Sequence, residues 1–335
     1  MPTPFYAGLP AHLLDAPTCA ALDGFRVIAA TGDEALDFLH GQLTQDVTGL
    51  AADRASLAGY CTAKGRLLAT LAMWRAPADP DAADARWHAL VRADLAEALI
   101  KRLSMFVLRA KAKLVLTPLH AAGVQCEGPQ RAALQAAAGG ALPAEPWQRA
   151  DLPTGTWIAA PAASNAAGPR WWWIASDAQL GGAQALSQVL AQGDAQAWQA
   201  ADLAAGLPWI GSLTQDMFIP QTVNLELAGG VSFTKGCYPG QEVVARSHYR
   251  GTVKRRMAYG QLDDAGATVR PGADIYDAAQ PHEPSGRVVD AAGPALLFET
   301  TLASLPDGDL RLGAADGPRI RVLPLPYALP EQDAA

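Results

Sequence analysis

Apolar and polar positions along this chain follow short runs whose period switches between two and three to four residues, the mark of mixed strands and helices. Residues 1–20 carry no clear period and read as an irregular lead-in. Phe25 to Ala30 is an apolar run ended by Thr31-Gly32, which predicts a strand. Asp33 then offers a cap for a helix with Leu36, Leu39 and Leu43 on one face. Ser56 to Thr62 and Arg66 to Trp74 predict two strands joined by a hairpin turn at Ala63-Lys64-Gly65. Residues 76–85, rich in proline and aspartate, read as a surface loop. Trp87 to Arg92 follows as a strand. Asp94 starts a helix with Leu95, Leu99 and Leu103 aligned. Phe106 to Leu116 alternates apolar with Arg109, Lys111 and Lys113, which predicts a strand with one solvated face.

From residue 117 a second, smaller series begins. Gly123 to Glu127 reads as a strand, and Gln130 to Ala138 as a helix stopped by Gly139-Gly140. Thr156 to Ala160 and Arg170 to Ala175 read as strands, and Leu180 to Ala191 as a helix. That order is a split βαβ, ferredoxin-like unit. The run Trp171-Trp172-Trp173 fits core packing better than a cofactor box. Ala195 to Ala205 is a further helix and contains Trp198. Past Arg256, short runs between Gly, Pro and Asp turns predict a small antiparallel barrel or sandwich.

Composition narrows the class. With 335 residues, half of them hydrophobic and 18% charged, the chain has material for two or three globular domains. A net charge of −7 argues against a general nucleic-acid coat while leaving room for a local basic patch. Cys19, Cys61, Cys126 and Cys237 form no CxxC pair, so neither a zinc site nor a secreted disulfide framework is indicated, and no metal ligands are assigned. No apolar run reaches a membrane span, and the N-terminus lacks a basic-then-apolar signal. The expected compartment is the cytoplasm, with no membrane partner.

One stretch breaks the bland pattern. Gly230 to Thr234 reads as a short strand, Lys235-Gly236 breaks it, Cys237 follows, Pro239-Gly240 turns the chain and a helix starts at Gln241. A thiol just before a helix N-terminus meets backbone N–H groups and a dipole that favour thiolate, and Lys235 and Arg246 can add positive charge. Glu242, in the first helical turn, must point away from the sulfur or be paired.

Lys235-Gly236-Cys237-Tyr238-x-Gly240-Gln241-Glu242 resembles the motif of the YgfZ-type folate-binding proteins, relatives of the glycine-cleavage aminomethyltransferase that act in iron–sulfur cluster biogenesis. Gly41-Gln42-x-Thr44-x-Asp46-Val47, the turn Lys64-Gly65-Arg66 and the ending Leu323-Pro-Leu-Pro-Tyr327 are similar to further segments of that family. The resemblance, from about Phe25 to Tyr327, implies an α+β, aminomethyltransferase-like folate-binding fold with a ferredoxin-like unit and a C-terminal antiparallel β-barrel. The expected domains are 1–116 with 200–250, on the folate side; 117–199, ferredoxin-like; and 251–330, the barrel.

The same resemblance implies that Trp198 and Phe25 serve a tetrahydrofolate site, where flat rings need flat partners. Two departures argue against aminomethyl transfer. Arg66-Leu67-Leu68-Ala69-Thr70 lacks the aspartates that the true aminomethyltransferases carry on this strand, and Ala204 stands where they have a pterin-gripping glutamate. The expected function is therefore a folate-binding accessory factor for iron–sulfur enzymes, including tRNA-modifying ones, acting through Cys237. Its expected partners are folate and iron–sulfur enzymes or cluster carriers. The alternative is a folate-dependent one-carbon transferase that uses Asp46 or Asp202 as its carboxylate. Six Lys or Arg against one Glu from Lys235 to Arg256 also admit an RNA-binding reading, but a patch meeting the glutamate tail of folate is preferred, and direct nucleic-acid binding is not expected.

Overall fold

The structure, a computed structural model, describes residues 4–77, 85–164, 168–249, 253–264, 266 and 268–330. The loop expected over 76–85 falls, from 78 to 84, outside the described residues, as does Arg250. The chain divides into two compact units. One takes Met1–His40, Val47–Ser56 and Leu71–Trp198; the other takes Gly41–Asp46, Leu57–Thr70 and Gln199–Ala335.

The first unit holds a six-stranded sheet in the order Ala191–Gln192, Thr18–Ala21, His120–Gln125, Arg170–Ala175, Gly155–Ala159, Arg149–Leu152. Pairing is antiparallel except for the parallel pair of Thr18–Ala21 with Ala191–Gln192. Successive side chains of a strand face opposite ways, so the tryptophan run splits between the faces. Trp171 and Trp173 join a core with Leu134, Leu180 and Leu186 from the helices Arg131–Ala138, Asp177–Gly182 and Gln184–Val189. There Trp173 stacks on Trp157 with ring centroids 5.2 Å apart. Trp172 meets Trp147 and Trp198 instead.

The lead-in is thus corrected. It forms a short helix, Pro4–Ala7, and the strand Thr18–Ala21. Thr-Cys-Ala-Ala has little strand propensity of its own, and pairing on both edges decides the outcome.

A second sheet runs Ala55–Cys61, Leu67–Arg75, Ala85–Arg92, Phe25–Thr31, Lys113–Leu116. Its first two strands belong to the first unit only at their ends nearest Ala55 and Arg75. Helix Ala93–Ser104 packs on this sheet and buries Leu95, Leu99 and Leu103 at the expected spacing. Asp94 sits in its first turn rather than at the cap.

The strand expected over Phe106–Leu116 shrinks to Lys113–Leu116. Residues 105–112 form successive turns whose apolar side chains face solvent, so alternation there marks no buried face.

In the second unit, six C-terminal strands make an antiparallel sheet in the order Leu310–Leu312, Asp274–Asp277, Gly286–Ala292, Ala295–Thr301, Arg255–Leu262, Ile320–Leu323. A bridge between Arg311 and Arg319 brings its outer strands together, so the sheet is a nearly closed barrel around Ile275, Val288, Leu296 and Phe298. Buried Arg256 leads from this barrel to the buried carboxylate of Glu226 and donates to the Gln221 carbonyl at 2.8 Å. Tyr327, from the ending Leu-Pro-Leu-Pro-Tyr, donates to the Gly206 carbonyl at 3.1 Å.

Candidate functional site

Three loops that lie far apart in sequence meet in the second unit. The first is 41–47. Buried Thr44 is its centre: its hydroxyl accepts from the Gly59 N–H at 2.7 Å and donates to the Gly230 carbonyl at 2.6 Å. Its carbonyl accepts from the Ser232 N–H at 2.9 Å, and Gln45 Nε2 donates to the Gly229 carbonyl at 2.5 Å. These bonds hold 229–232 as a clasped loop, so the strand expected at Gly230–Thr234 does not form.

The second loop is the hairpin turn 62–66. The Gly65 N–H donates to the Thr62 carbonyl, and Arg66 turns its guanidinium onto the Met217 carbonyl at 2.6 Å. Lys64 stays exposed. This turn presses on the third loop, 235–240. A Cβ on Gly240 would lie 2.4 Å from the Thr62 carbonyl oxygen and 2.6 Å from Gly65. Gly240 also takes a φ of 80°, so both space and backbone require glycine there.

Cys237 is held on that third loop. It is exposed, while Cys19, Cys61 and Cys126 are buried. Burial pushes the Cys61 thiol up to about 12 and raises Cys19 and Cys126 as well, which leaves those thiols inert. Helix Gln241–Tyr249 begins four residues after Cys237 and is anchored by buried Val244, whose carbonyl accepts from Gln221 Nε2 at 2.7 Å. Phe233 and His248 stack with centroids 3.7 Å apart and close the loop onto the helix.

Lys235 is half-buried. Its Nζ donates to the Leu43 carbonyl at 2.9 Å and lies 4.9 Å from the ring centroid of buried Tyr238. Burial pulls its ammonium down from an ordinary 10.5 to about 8, against the opposing pull of Asp46 and Cys237. Lys235, Asp46 and Cys237 are therefore electrostatic neighbours. The helix cation does otherwise. Arg246 pairs with Glu242 at 2.7 Å one turn away, both exposed, so Glu242 is paired as its position demanded and Arg246 is occupied. Gly236 is exposed beside the sulfur, and Gln241 opens the helix.

The two aromatic candidates lie in the first unit, on different cavities. Trp198 is 3% exposed. Gly123 packs against its indole so closely that a Cβ there would come within 2.2 Å, and the Arg170 guanidinium lies 4.0 Å from the ring centroid. It forms a wall of a cavity of about 480 Å³ lined also by Asp15, Gln125, Glu127, Gln192 and Asp194. Trp198 Nε1 has no hydrogen-bond partner among the described residues. Phe25 is buried under the Arg92 guanidinium, 5.3 Å from the ring centroid. It lines a separate cavity of about 370 Å³ with Tyr6, Asp23, Arg26 and His120.

Asp202, one of the two candidate carboxylates, is fully buried and accepts from Trp209 Nε1 at 3.0 Å. Sequence reading missed the Leu43 carbonyl, the Phe233–His248 stack and the carboxylates beside Trp198. None has a local signal, because each contact joins positions that the fold alone brings together. Among the described residues no group of three or more His, Cys, Asp or Glu is placed to hold a metal, and no helix is long and apolar enough to cross a membrane.

No family model matches the chain. It is 31% identical over 329 residues to a protein of Edwardsiella ictaluri called tRNA-modifying protein YgfZ, with 94% of each chain covered. A protein of the same name from Cronobacter sakazakii is 34% identical over 288 residues, 82% of this chain and 80% of its own. Among solved structures, the glycine cleavage system aminomethyltransferase T of Bartonella henselae shares 97% of this chain and 88% of its own at a TM-score of 0.70 and 17% identity. That likeness shows the aminomethyltransferase-like fold.

Proposed function

The chain belongs to the family of tRNA-modifying proteins called YgfZ, and from that membership we propose that it supports tRNA modification as a folate-binding accessory factor for iron–sulfur enzymes, working through Cys237. The observation that carries this reading is the exposed thiol held beside a half-buried lysine on a loop locked by two others. The step assigned to this chain is simple. As the sulfur binds a metal ion of the client, the S–H bond breaks, its proton passes to Lys235 in its neutral amine form, and the electron pair left on sulfur forms the sulfur–metal bond. Asp46 holds the resulting ammonium.

Folate belongs to the reading through Trp198. The cavity beside it is within the size range of small-molecule sites. Asp15, Glu127 and Asp194 supply acceptors suited to the N–H groups of a pterin ring. Trp198 gives a wall and an unpartnered N–H rather than an open stacking face, since Gly123 and Arg170 cover its ring. A bound folate would supply a one-carbon carrier there. Phe25 lines a cavity of its own.

Aminomethyl transfer is disfavoured on the same residues. Leu68 and Ala69 occupy the strand that would carry the aspartates, and Asp202 is committed to Trp209.

Two measurements test the proposal. Single-cysteine variants labelled with iodoacetamide in the folded state should react at Cys237 at least tenfold faster than at the other three, and Cys237→Ser should fail to restore iron–sulfur enzyme activity in a deletion strain. Equal labelling rates, or full rescue by the serine variant, would sink it. Quenching of tryptophan fluorescence by tetrahydrofolate should weaken in Trp198→Ala; unchanged affinity removes Trp198 from the site.

A further inference from the structure

Between the helix Ala93–Ser104 and the strand Lys113–Leu116 the chain makes a tip that is at once apolar and basic. Leu108 is 87% exposed, Met105 60% and Phe106 49%. Around them Lys101, Arg102, Arg109, Lys111 and Lys113 are all exposed, and no carboxylate interrupts the stretch from Lys101 to Lys113. On a chain of net charge −7 this is a marked reversal of sign.

Fraying does not explain the exposure. The helix runs into the tip through bonds from the Met105, Phe106 and Val107 N–H groups to the Arg102, Leu103 and Ser104 carbonyls. At the other end the Lys111 N–H donates to the Glu34 carboxylate at 2.6 Å, and the Lys111 carbonyl accepts from the Glu34 N–H at 3.2 Å. Thr31 then pairs with Lys113 in the sheet. Glu34, the acid nearest in these contacts, is thus spent on the backbone. The tip is tied at its base while its side chains stay in water.

Exposed apolar groups on a tied loop mark an interaction surface. The cations choose the partner. Three of the five are lysines, a residue depleted from protein–protein interface cores and abundant against phosphates. An exposed phenylalanine among them offers a face on which an unpaired base stacks. We propose that residues Lys101–Lys113 form an RNA-binding tip, with the cations on the phosphate backbone and Phe106 against an unpaired base of a structured RNA such as tRNA. The inference rests on the tRNA-modification reading of the family and names the surface through which the RNA is met.

Fluorescence anisotropy with an end-labelled tRNA transcript tests it on the full chain. Binding should weaken with salt, and the double charge reversal Arg109→Glu/Lys111→Glu should lower affinity by about tenfold or more and flatten the logarithmic salt slope by about 2. Phe106→Ala should cost about fivefold or more on the tRNA and leave affinity for a fully paired RNA duplex unchanged. Lys101→Glu, on the helix surface, repeats the charge test should the double variant fold poorly.

Wild-type affinity in both charge variants overturns the proposal. So does stronger binding to phosphatidylglycerol vesicles or to polyglutamate than to tRNA, which would assign the tip to a membrane or an acidic protein. The underlying reading is tested apart, by modified-nucleoside levels in a deletion strain: lost modification with undiminished tRNA binding by the charge variants defeats only the tip, whereas unaltered modification defeats the reading itself.

Discussion

At the scale of single residues, Lys235 is the most instructive. An exposed lysine would hold its proton at every physiological pH. This one is tethered to the Leu43 carbonyl, half out of water, with its ammonium drawn down to about 8. If it takes the proton of Cys237, the rate of Cys237 alkylation should rise through an inflection near pH 8. Lys235→Met should slow labelling at neutral pH and alter the pH profile, which keeps the rise that any thiol shows, with Lys235→Arg failing to restore the wild-type profile, because arginine does not release its proton. A methionine variant with the wild-type pH profile would exclude the lysine from proton transfer. The candidate thiol was legible in sequence, since Gly236 and Gly240 around a cysteine announce a presented side chain. Its partner was legible only by residue type: Lys235 and Arg246 look alike as nearby cations, and only the fold shows one beside the sulfur and the other bound to Glu242.

At the scale of elements, strands and helices with a buried face were readable, and segments that depend on distant partners were not. Phe25–Thr31 and Ala93–Ser104 carry their period in themselves. Thr18–Ala21 does not, and becomes a strand because neighbours pair with both its edges. Gly230–Thr234 looks like a strand and is drawn instead into the Thr44 clasp. That clasp makes a direct prediction. Thr44→Val removes the hydroxyl from between the Gly59 N–H and the Gly230 carbonyl and leaves two buried backbone groups without it. The expected loss is about 2 kcal/mol or more in denaturant unfolding, with faster amide exchange at Gly59 and altered Cys237 labelling. Thr44→Ser should recover most of it. A valine variant as stable as wild type, with unchanged labelling, would show that the clasp is incidental.

At the scale of the whole molecule, stability should depend on acid through His88. Burial, with the Arg149 guanidinium as the second cause, lowers this imidazole from 6.5 to about 4. The unfolded chain takes up a proton near pH 6.5 while the folded one resists until about pH 4, so stability falls as pH drops through that window and is unaffected by His88 above it. The full loss is about 3 kcal/mol. Denaturant midpoints between pH 7 and pH 4 should show it, and His88→Gln should flatten that part of the curve; an equal acid loss in the variant would place the cause elsewhere.

Lys235 is hooked to a main-chain oxygen, not to a side chain. In a family where one member shares 31% of its aligned residues with this chain, a side-chain partner can vanish in one mutational step, but a carbonyl cannot. Any replacement at position 43 that preserves the path of the backbone preserves the tether. A substitution at position 43 therefore calls for no compensating change at Lys235.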